Sequence, residues 1–326
     1  MKRRFRIAPL IACLVGCAPP GTIEVGRAER AIIGGTVDTG DPAVVLVTSI
    51  NFQTGRAGNC TGEVVSPHVV LTAGHCVHPG VVGAGNSYYI FTGKEPDFHA
   101  KSGVYEAAET HYEPGYNPTN QAKSSTPAAH DVAVIILKTP IPVTPLRFNH
   151  VPLGQDSVGK VARLVGYGVT DINDPQSTGV KYQTSAEISR IDATSVVFAD
   201  PAHNTCEGDS GGPALLDLGD GEVIVGTVSV GDQDCALHGI DARIDKYASF
   251  IDETILKADP PPPPDLSTPA VALDASAVED AMISHGGCSA VGEVGLGVWS
   301  VWFLFVAALT MLGRPIRRFA FRKSLR

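Results

Sequence analysis

One pattern constrains the fold of this chain more than any other. Its apolar runs are short, rich in β-branched residues, and separated by Gly, Pro, Asn and Asp. Runs of that length without a long 3.6-residue period predict an all-β barrel or sandwich. The six clearest predicted strands are Ala43–Ile50, Glu63–Thr72, Val132–Leu137, Val161–Val165, Thr194–Ala199 and Val223–Val230. Only Lys246–Lys257 has apolar residues at helical spacing, which predicts a helix at the end of the domain.

The size and charge of the chain narrow the class of protein. A length of 326 residues with 44% hydrophobic side chains fits one large domain with a substantial core and additional segments at its ends. Residues 32–257 contain 13 Lys and Arg against 26 Asp and Glu, a net charge of −13. Phosphate binding needs concentrated basic side chains, so we expect no nucleic-acid partner.

The N-terminus has the pattern of an export signal. Four of the first six residues are basic, and the apolar run Ile7–Gly16 follows them. That run is too short to span a bilayer, so residues 1–17 are predicted to be a signal peptide. The segment Leu14–Cys17 also resembles a bacterial lipobox, which implies a lipid on Cys17. The alternative is an ordinary signal peptide cleaved nearby.

The C-terminus has the pattern of a membrane segment. Val294–Leu312 is a 19-residue stretch without charge, and as a helix it would be roughly 28 Å long, close to the thickness of the hydrocarbon layer. Six Lys and Arg residues follow it, which predicts a cytoplasmic end. A buried core helix is the alternative. The order of Gly286–Cys288, an apolar helix and an arginine cluster resembles the sorting tails of myxobacterial surface proteins, which are processed near the cysteine.

A proline-rich segment separates this tail from the rest of the chain. Five consecutive prolines at Pro260–Pro264 predict a semi-rigid extended spacer, because proline fixes φ and has no backbone N–H. We therefore assign residues 258–285 to the spacer and 286–326 to the sorting or transmembrane tail. The folded domain is expected to be residues 32–257.

Three short motifs within this domain indicate nucleophilic catalysis. The segment Cys206–Pro213 places a serine among glycines, in the sequence Cys-Glu-Gly-Asp-Ser-Gly-Gly-Pro. A serine hydroxyl becomes a nucleophile when a nearby base accepts its proton. Leu71–Cys76 contains a histidine, and Ala129–Val134 places an aspartate at the start of a buried strand. Each motif alone is also compatible with a turn serine, a structural histidine or a capping aspartate.

Taken together, the motifs resemble the trypsin/chymotrypsin family of serine endopeptidases, in that family's His, Asp, Ser order along the chain. The resemblance covers about residues 32–257. It implies a chymotrypsin-like fold of two six-stranded antiparallel β-barrels with a C-terminal helix. In that family the serine attacks the peptide carbonyl and forms an acyl-enzyme.

The resemblance also implies individual roles. His75 would accept the proton of Ser210, and Asp131 would orient His75. The backbone N–H groups of Gly208 and Ser210 would form the oxyanion hole. His130, next to the aspartate, and His68 match no role in the family pattern.

Four cysteines lie in the domain, at positions 60, 76, 206 and 235. A zinc site is conceivable, but the absence of a C-x-x-C pair favours disulfides. The family resemblance implies the pairs Cys60–Cys76 and Cys206–Cys235. The sequence has no P-loop, dinucleotide fingerprint or His-Glu-x-x-His motif, and we expect neither a metal nor a cofactor.

Residues 31–36, Ala-Ile-Ile-Gly-Gly-Thr, resemble the activation sequence of the family. There, cleavage frees an α-amine that pairs with the aspartate before the nucleophile. The resemblance implies that Ile32 pairs with Asp209, that residues 18–31 are a propeptide, and that an activating protease is a partner. The chain departs from the family at Ala31, since the basic residue Arg30 lies one position earlier.

The substrate pocket is also implied by resemblance. Asn204 would lie at its base, Ser229–Gly231 and Gly239 would form its walls, and Asp241 would lie near its floor. Asn204 is neutral, so the usual carboxylate for basic side chains is missing. Either Asn204 donates a hydrogen bond to Asp241 and the pair receives a basic side chain, or Asp241 points away, into an ion pair with Arg243 or into solvent, and leaves a neutral polar pocket. Around the rim, negative charge is expected from Glu207, Asp232 and Asp234.

These observations predict an exported serine endopeptidase, located at the cell envelope or surface or released, that acts on protein or peptide substrates. Its membrane association would come from a lipid on Cys17, from the C-terminal helix, or from both. One alternative is a catalytically inactive homologue that serves as a surface binding module. Another is a surface adhesion or structural protein, which would leave the three motifs unexplained.

Overall fold

The structure is a computed structural model, and it describes residues 32–97, 102–121, 128–169, 177–232 and 234–262. The predicted signal peptide, propeptide and lipidated cysteine lie outside these residues, and so does the predicted tail. Within the described ranges, none of the helices has the length and apolar character needed to cross a bilayer.

Within the described residues the fold is built mainly from thirteen strands. In chain order they are β1 (Thr36–Val37), β2 (Val44–Asn51), β3 (Arg56–Ser66), β4 (Val69–Thr72), β5 (Ser87–Phe91), β6 (Val104–Tyr112), β7 (Ala133–Leu137), β8 (Val161–Gly166), β9 (Tyr182–Ile191), β10 (Ser195–Phe198), β11 (Pro213–Asp217), β12 (Glu222–Gly231) and β13 (Gly239–Arg243).

The helices are few and short, apart from the last. They are α1 (Pro79–Val82), α2 (Pro118–Gln121) and α3 (Ala248–Ala258), with 3-10 turns at Gly74–Cys76, Gln155–Ser157 and Ile244–Lys246. The predicted C-terminal helix is confirmed. It begins two residues later than predicted, because Ile244–Lys246 forms a tight turn before it.

The strands close into two antiparallel barrels, as the family resemblance implies. The first barrel has the order β2-β3-β4-β7-β6-β5. In the second, β9, β10, β13, β12, β11 and β8 follow one another, and a β8–β9 pairing closes the ring. Strand β1 adds to the outside of the second barrel by pairing with β9. The chymotrypsin-like fold is therefore confirmed.

Side-chain alternation along β2 explains how the barrels pack against each other. Val45 and Val47 point into the first barrel and belong to its core. Val44 and Leu46 point the opposite way, into a separate apolar cluster that also contains Leu215 of the second barrel. Successive side chains of a strand face opposite sides, so one strand supplies both the barrel core and the interface between barrels.

One predicted strand was too long. The run Glu63–Thr72 is the end of β3, a turn at residues 67 and 68, and the whole of β4. Pro67 interrupts the run because proline has no N–H for strand pairing. The strand predictions also missed β1, β5, β6, β9, β11 and β13. Of these, β6 and β9 carry many partly or fully exposed side chains and so lack an apolar run.

The C-terminal helix is tied to the first barrel at its end. The Asp259 carboxylate accepts hydrogen bonds from the Ser66 hydroxyl (2.6 Å) and the His68 backbone N–H (2.9 Å). Its other oxygen lies 2.6 Å from His68 Nδ1. These bonds give His68 a structural role. They also attach the chain to the first barrel as far as Asp259, the residue before Pro260.

Candidate active site

The histidine and aspartate of the predicted triad are hydrogen-bonded to each other. His75 lies on the 3-10 turn after β4, and Asp131 lies just before β7, which begins at Ala133. The Asp131 Oδ2 atom lies 2.8 Å from His75 Nδ1, and its Oδ1 atom accepts the His75 backbone N–H at 2.7 Å. This two-point contact fixes both the position and the tautomer of the imidazole, leaving Nε2 available as the base.

The Asp131 carboxylate is fully buried yet stays ionised. Burial by itself would raise its pKa, but the charge of His75 and hydrogen bonds from His75 and Ser229 outweigh burial and lower the pKa below its ordinary value. The Ser229 hydroxyl donates to Asp131 Oδ2 at 2.5 Å. The sequence implied only a pocket-wall role for Ser229, and this contact was missed because it joins residues 98 positions apart.

The loop that carries Ser210 depends on its glycines. Gly208 has φ +93° and Gly211 has φ +83°, in the left-handed region. A Cβ on Gly211 would lie 2.1 Å from Thr72 Oγ1, so only glycine lets this loop approach the first barrel. Thr61 of that barrel holds the loop, donating its N–H to Ser210 O (2.8 Å) and its hydroxyl to Gly208 O (2.9 Å).

These contacts bring the three motifs to the cleft between the barrels. The Ser210 carbonyl oxygen lies 3.8 Å from the sulfur of Cys76, the residue after His75. Ser229 on β12 reaches Asp131 in the same region. Residues that are distant in sequence therefore form one site, in the arrangement that the family resemblance implies.

Some backbone N–H groups of the Ser210 loop make no hydrogen bond within the described structure. The N–H groups of Asp209, Gly211 and Gly212 donate to carbonyl oxygens within the protein. Within the described part of the chain, those of Gly208 and Ser210 donate to none. Unoccupied, oriented donors of this kind can stabilise a developing oxyanion.

Asp209 is buried beneath the loop. Its oxygens accept the backbone N–H groups of Gly168 (2.8 Å) and Cys206 (2.9 Å). Burial raises its pKa to about 7, although these two hydrogen bonds lower it. A Cβ on Gly168 would meet the carboxylate at 2.6 Å, so the enclosing wall depends on glycine.

The segment that begins at Ile32 is docked on the second barrel. Ile32 is fully buried, and Ile33 exchanges backbone hydrogen bonds with Asn204 at 2.8 and 3.3 Å. Gly34 has φ +73°, and a Cβ there would lie 2.1 Å from Ala202 O. The Gly34 position is therefore closed to other residues, which explains the need for glycine in this segment.

A cavity of about 160 Å³ opens beside Ser210. Its walls include Cys206, Val228, Ser229 and Gly231. Asn204 lies fully buried behind it, and a Cβ on Gly239 would come within 2.7 Å of the Asn204 Oδ1 atom. The predicted pocket residues are thus grouped together, although Asn204, Gly239 and Asp241 do not line the open cavity.

The predicted hydrogen bond between Asn204 and Asp241 is wrong. Asn204 Nδ2 donates to Cys235 O at 3.4 Å, and its Oδ1 accepts the Thr205 N–H at 2.9 Å. The alternative contact with Arg243 is wrong as well, because that guanidinium is paired with another carboxylate. Among the described residues, neither oxygen of the fully buried Asp241 has a hydrogen-bond partner.

Burial without a partner makes Asp241 a weak acid. Burial raises its pKa to about 8. Glu63 of β3 is also fully buried and its oxygens have no hydrogen-bond partner in the described structure. The pKa of Glu63 is raised well above its ordinary value by burial and by the charge of Asp241. Sequence reasoning missed Glu63, because a single acidic residue in an apolar run carries no signal of its surroundings.

One of the acidic residues predicted at the pocket rim, Asp232, already makes hydrogen bonds within the protein. Asp232 accepts backbone N–H groups of Ala236 (2.9 Å), Leu237 (2.8 Å) and His238 (2.8 Å). Although burial would raise its pKa, these three bonds lower it to about 2. Asp232 therefore stabilises the loop that contains Cys235, a residue that lines the pocket.

Both predicted disulfides are present. Cys60–Cys76 has a Cα–Cα distance of 6.3 Å, and Cys206–Cys235 one of 5.3 Å. Ligand atoms of Cys60, His75 and Cys76 lie within 4.8 Å of one another. Because the two sulfurs are bonded to each other, they cannot act as thiolate ligands, and the zinc interpretation of these cysteines does not fit.

Comparison with known proteins agrees with this geometry. The family model described as Trypsin matches residues 33–251. Glucanase inhibitor protein 4 of Phytophthora infestans is 26% identical over 229 residues, covering 65% of this chain and 84% of that protein. Proclotting enzyme of Tachypleus tridentatus is 26% identical over 270 residues, covering 72% of this chain and 69% of the relative.

A third relative and a solved structure extend the comparison. Trypsin beta of Drosophila erecta is 25% identical over 248 residues, covering 68% of this chain and 88% of that protein. The structure of HL collagenase superposes with a TM-score of 0.53 at 22% identity, covering 68% of this chain and 98% of the other, which supports the fold. With two closed barrels and a family match over more than half its length, the chain belongs to the Trypsin family of serine proteases.

Proposed function

We propose that this protein is a serine endopeptidase that hydrolyses peptide bonds through an acyl-enzyme. The observation that carries the proposal is the His75–Asp131 hydrogen bond at 2.8 Å in a cleft that also contains the Ser210 loop. A serine hydroxyl next to an oriented imidazole is the arrangement that acyl transfer needs.

Each group has a defined task in the proposed reaction. The Ser210 hydroxyl oxygen attacks the scissile carbonyl carbon while its proton moves to His75 Nε2. Asp131 stabilises the resulting imidazolium. The N–H groups of Gly208 and Ser210 bind the carbonyl oxygen as it becomes negative, each contributing about 3–4 kcal/mol. His75 then gives its proton to the leaving amine, and water hydrolyses the ester by the reverse sequence.

The alternative is an inactive homologue that binds a partner protein. One observation favours it: relatives include a protein named as a glucanase inhibitor. The complete triad favours the enzyme. Labelling by a fluorophosphonate separates the two, since it needs an activated serine; we expect labelling of Ser210 in the unmutated protein and none in Ser210→Ala. An unlabelled, correctly processed chain would support the binding module.

For specificity, we propose a neutral primary pocket that accepts small or polar side chains. Asn204 is uncharged, and Asp241 is kept from ionising near neutral pH by its burial. Two acidic residues line the cavity, Glu207 and Asp232. Both oxygens of Asp232 are engaged by backbone N–H groups, and Glu207 is exposed to solvent. Asn204, Asp241 and Asp232 therefore offer no free carboxylate to a Lys or Arg side chain. The charge of the exposed Glu207 is screened by water and salt, so it favours basic side chains only weakly.

For activation, we propose that a free α-amine at Ile32 forms an ion pair with Asp209. The buried position of Ile32 and the pairing of Ile33 with Asn204 support this. A buried carboxylate gains most from a nearby cation, so the pair would stabilise the oxyanion loop in its active form. The activating protease is a further partner.

Chains cut immediately before Ile32 are expected to be active, whereas chains cut before Ala31 should be at least roughly 100-fold less active, because losing a buried ion pair costs about 3–5 kcal/mol. The measurement uses two engineered chains whose protease site ends at either position, with N-terminal sequencing and peptide hydrolysis. Equal activity of the two products, or full activity of an uncut chain, would contradict the proposal.

We also propose export and attachment to the cell envelope through Cys17, the Val294–Leu312 segment, or both in succession. Two disulfides favour an oxidising compartment. Cell fractionation should show that Cys17→Ser combined with truncation before Gly286 releases the protein from membranes, and each change alone identifies which anchor matters. Unchanged membrane association in the double variant would rule out both anchors.

A further inference from the structure

The residue before the candidate catalytic aspartate has an unusual backbone conformation. His130 has φ +63°, in the left-handed region. A residue with a Cβ loses roughly 1–2 kcal/mol in that region. Such conformations persist where surrounding contacts enforce them, and they concentrate at functional sites. The contacts that hold His130 are therefore informative.

Two side chains from different parts of the fold hold His130. Its Nδ1 atom lies 2.6 Å from Glu113 Oε2, and its backbone N–H donates to the Tyr247 hydroxyl at 2.7 Å. The Tyr247 ring also lies 5.6 Å from the imidazole, centroid to centroid. Tyr247 is buried, so it offers a rigid acceptor at the start of the C-terminal helix.

Glu113 is itself held in place. Its Oε2 atom accepts the Gly115 N–H at 2.7 Å, and its backbone N–H donates to Val132 O at 2.9 Å. A Cβ on Gly115 would lie 2.5 Å from His130 Nδ1, so this close approach requires glycine. The loop after β6 and the start of α3 thus fix the residue beside Asp131 from two sides.

Backbone hydrogen bonds on either side of Asp131 link the conformation of His130 to the position of the aspartate. The Val132 N–H donates to His130 O at 2.8 Å, which closes a tight turn with Asp131 at its centre. The Asp131 N–H donates to Ala128 O at 3.3 Å. Any rotation of the His130 backbone would therefore turn the carboxylate that meets His75 and Ser229.

We propose that His130 is a positioning residue for the candidate triad: Glu113 and Tyr247 hold it in the left-handed conformation, and that conformation aims the Asp131 carboxylate at His75. The proposal rests on the proposed peptidase function. A displacement of about 1 Å in such a group can lower a reaction rate by roughly 100-fold. Substrate contacts are not involved, so the effect belongs to kcat.

The test compares four variants of the full chain after activation: His130→Ala, His130→Asn, Glu113→Gln and His150→Ala. Asparagine tolerates the left-handed region and its amide can donate to Glu113, whereas alanine adopts that region less readily and has no side-chain donor. The exposed His150, which pairs with Asp252, is the matched control. Rates are normalised to serines titrated by the fluorophosphonate, and thermal midpoints are recorded.

We expect His130→Ala to lower kcat about 10- to 100-fold with KM changed less than about twofold. His130→Asn should stay within about fivefold of the unmutated protein, Glu113→Gln should fall between the two, and His150→Ala should be unchanged. An unchanged kcat in His130→Ala, or equal losses in the alanine and asparagine variants that follow their thermal midpoints, would overturn the positioning role.

A second readout does not depend on activity. The proton that His75 Nδ1 shares with Asp131 is expected far downfield in the proton NMR spectrum, and its assignment is checked by its loss in His75→Ala. It should persist in His130→Asn and be lost or shifted in His130→Ala. An unchanged resonance in His130→Ala overturns the inference. Failure of the unmutated protein to hydrolyse peptides or label overturns the proposed function instead, and the NMR comparison then still decides whether His130 aims Asp131.

Discussion

Ser210→Ala is expected to lower peptide hydrolysis by about 10⁴-fold or more while leaving the fold intact, because the triad acts as a unit and no other group replaces the nucleophile. His75→Ala should cause a comparable loss, since Ser210 then has no base. Asp131→Asn should also lower kcat by about 10⁴-fold, because the amide favours the wrong imidazole tautomer. The measurement is steady-state cleavage of a peptide library by the activated chain.

Ser185→Ala is the matched control for this experiment. Ser185 is exposed on β9, and its loss should change neither activity nor thermal midpoint. Circular dichroism of all variants checks that losses of activity are not losses of fold. Near-normal turnover by Ser210→Ala would refute the proposal that this site is that of a serine endopeptidase.

The second large effect concerns stability and pH. The Asp241 carboxyl has a pKa of about 8 in the folded chain against an ordinary value of 3.8. The folded state therefore holds a proton that the unfolded state releases. The resulting stabilisation is fully present below about pH 4 and is lost progressively as the pH rises to 8. A shift of this size corresponds to several kcal/mol, because each pKa unit is worth about 1.4 kcal/mol.

Asp241→Asn removes this ionisation while keeping the size and neutral polarity of the protonated acid. At pH 9 we expect a thermal midpoint higher than that of the unmutated protein by about 10 °C, and at pH 4 we expect nearly equal midpoints. Glu63→Gln should act in the same direction. The two effects should not add, because the charge of Asp241 raises the pKa of Glu63 and coupled sites deviate from additivity.

The exposed Glu253 on α3 provides the control, since Glu253→Gln removes a carboxylate that lies in solvent. Its midpoints should follow those of the unmutated protein at every pH. A difference between Asp241→Asn and the unmutated protein that is the same at pH 4 and pH 9 would show that ionisation of Asp241 is not responsible.

The same variant tests the proposed neutral pocket. If Asp241 is not a receptor for basic side chains, Asp241→Asn leaves the ratio of cleavage after Arg and Lys to cleavage after other residues unchanged. Loss of a strong Arg and Lys preference in this variant would instead identify Asp241 as the specificity determinant.

Much of the fold could be predicted because its signals are local. The glycines of the Ser210 loop act on their own backbone, and short β-branched runs need only their neighbours to be recognised as strands. Strands with exposed, polar faces, such as β6 and β9, could not be found, since pairing with other strands rather than composition makes them strands.

The candidate triad and both disulfides were predictable from sequence because their motifs are contiguous and resemble a known family. The sequence alone thereby determined the order His75, Asp131, Ser210 and the identity of the groups available for chemistry. What tertiary structure decided was the environment of side chains that carry no motif. Glu63 and Asp241 are ordinary acids in sequence, and folding raises their pKa values by removing water without supplying a partner.

His130 illustrates the same division. In sequence it is a histidine beside an aspartate, with no indication of a role. Its partner Tyr247 lies 117 positions away, so only the docking of the C-terminal helix against the first barrel creates the contact. Local chemistry can be read along the chain, whereas burial, charge coupling and backbone constraint depend on which distant segments the fold brings together.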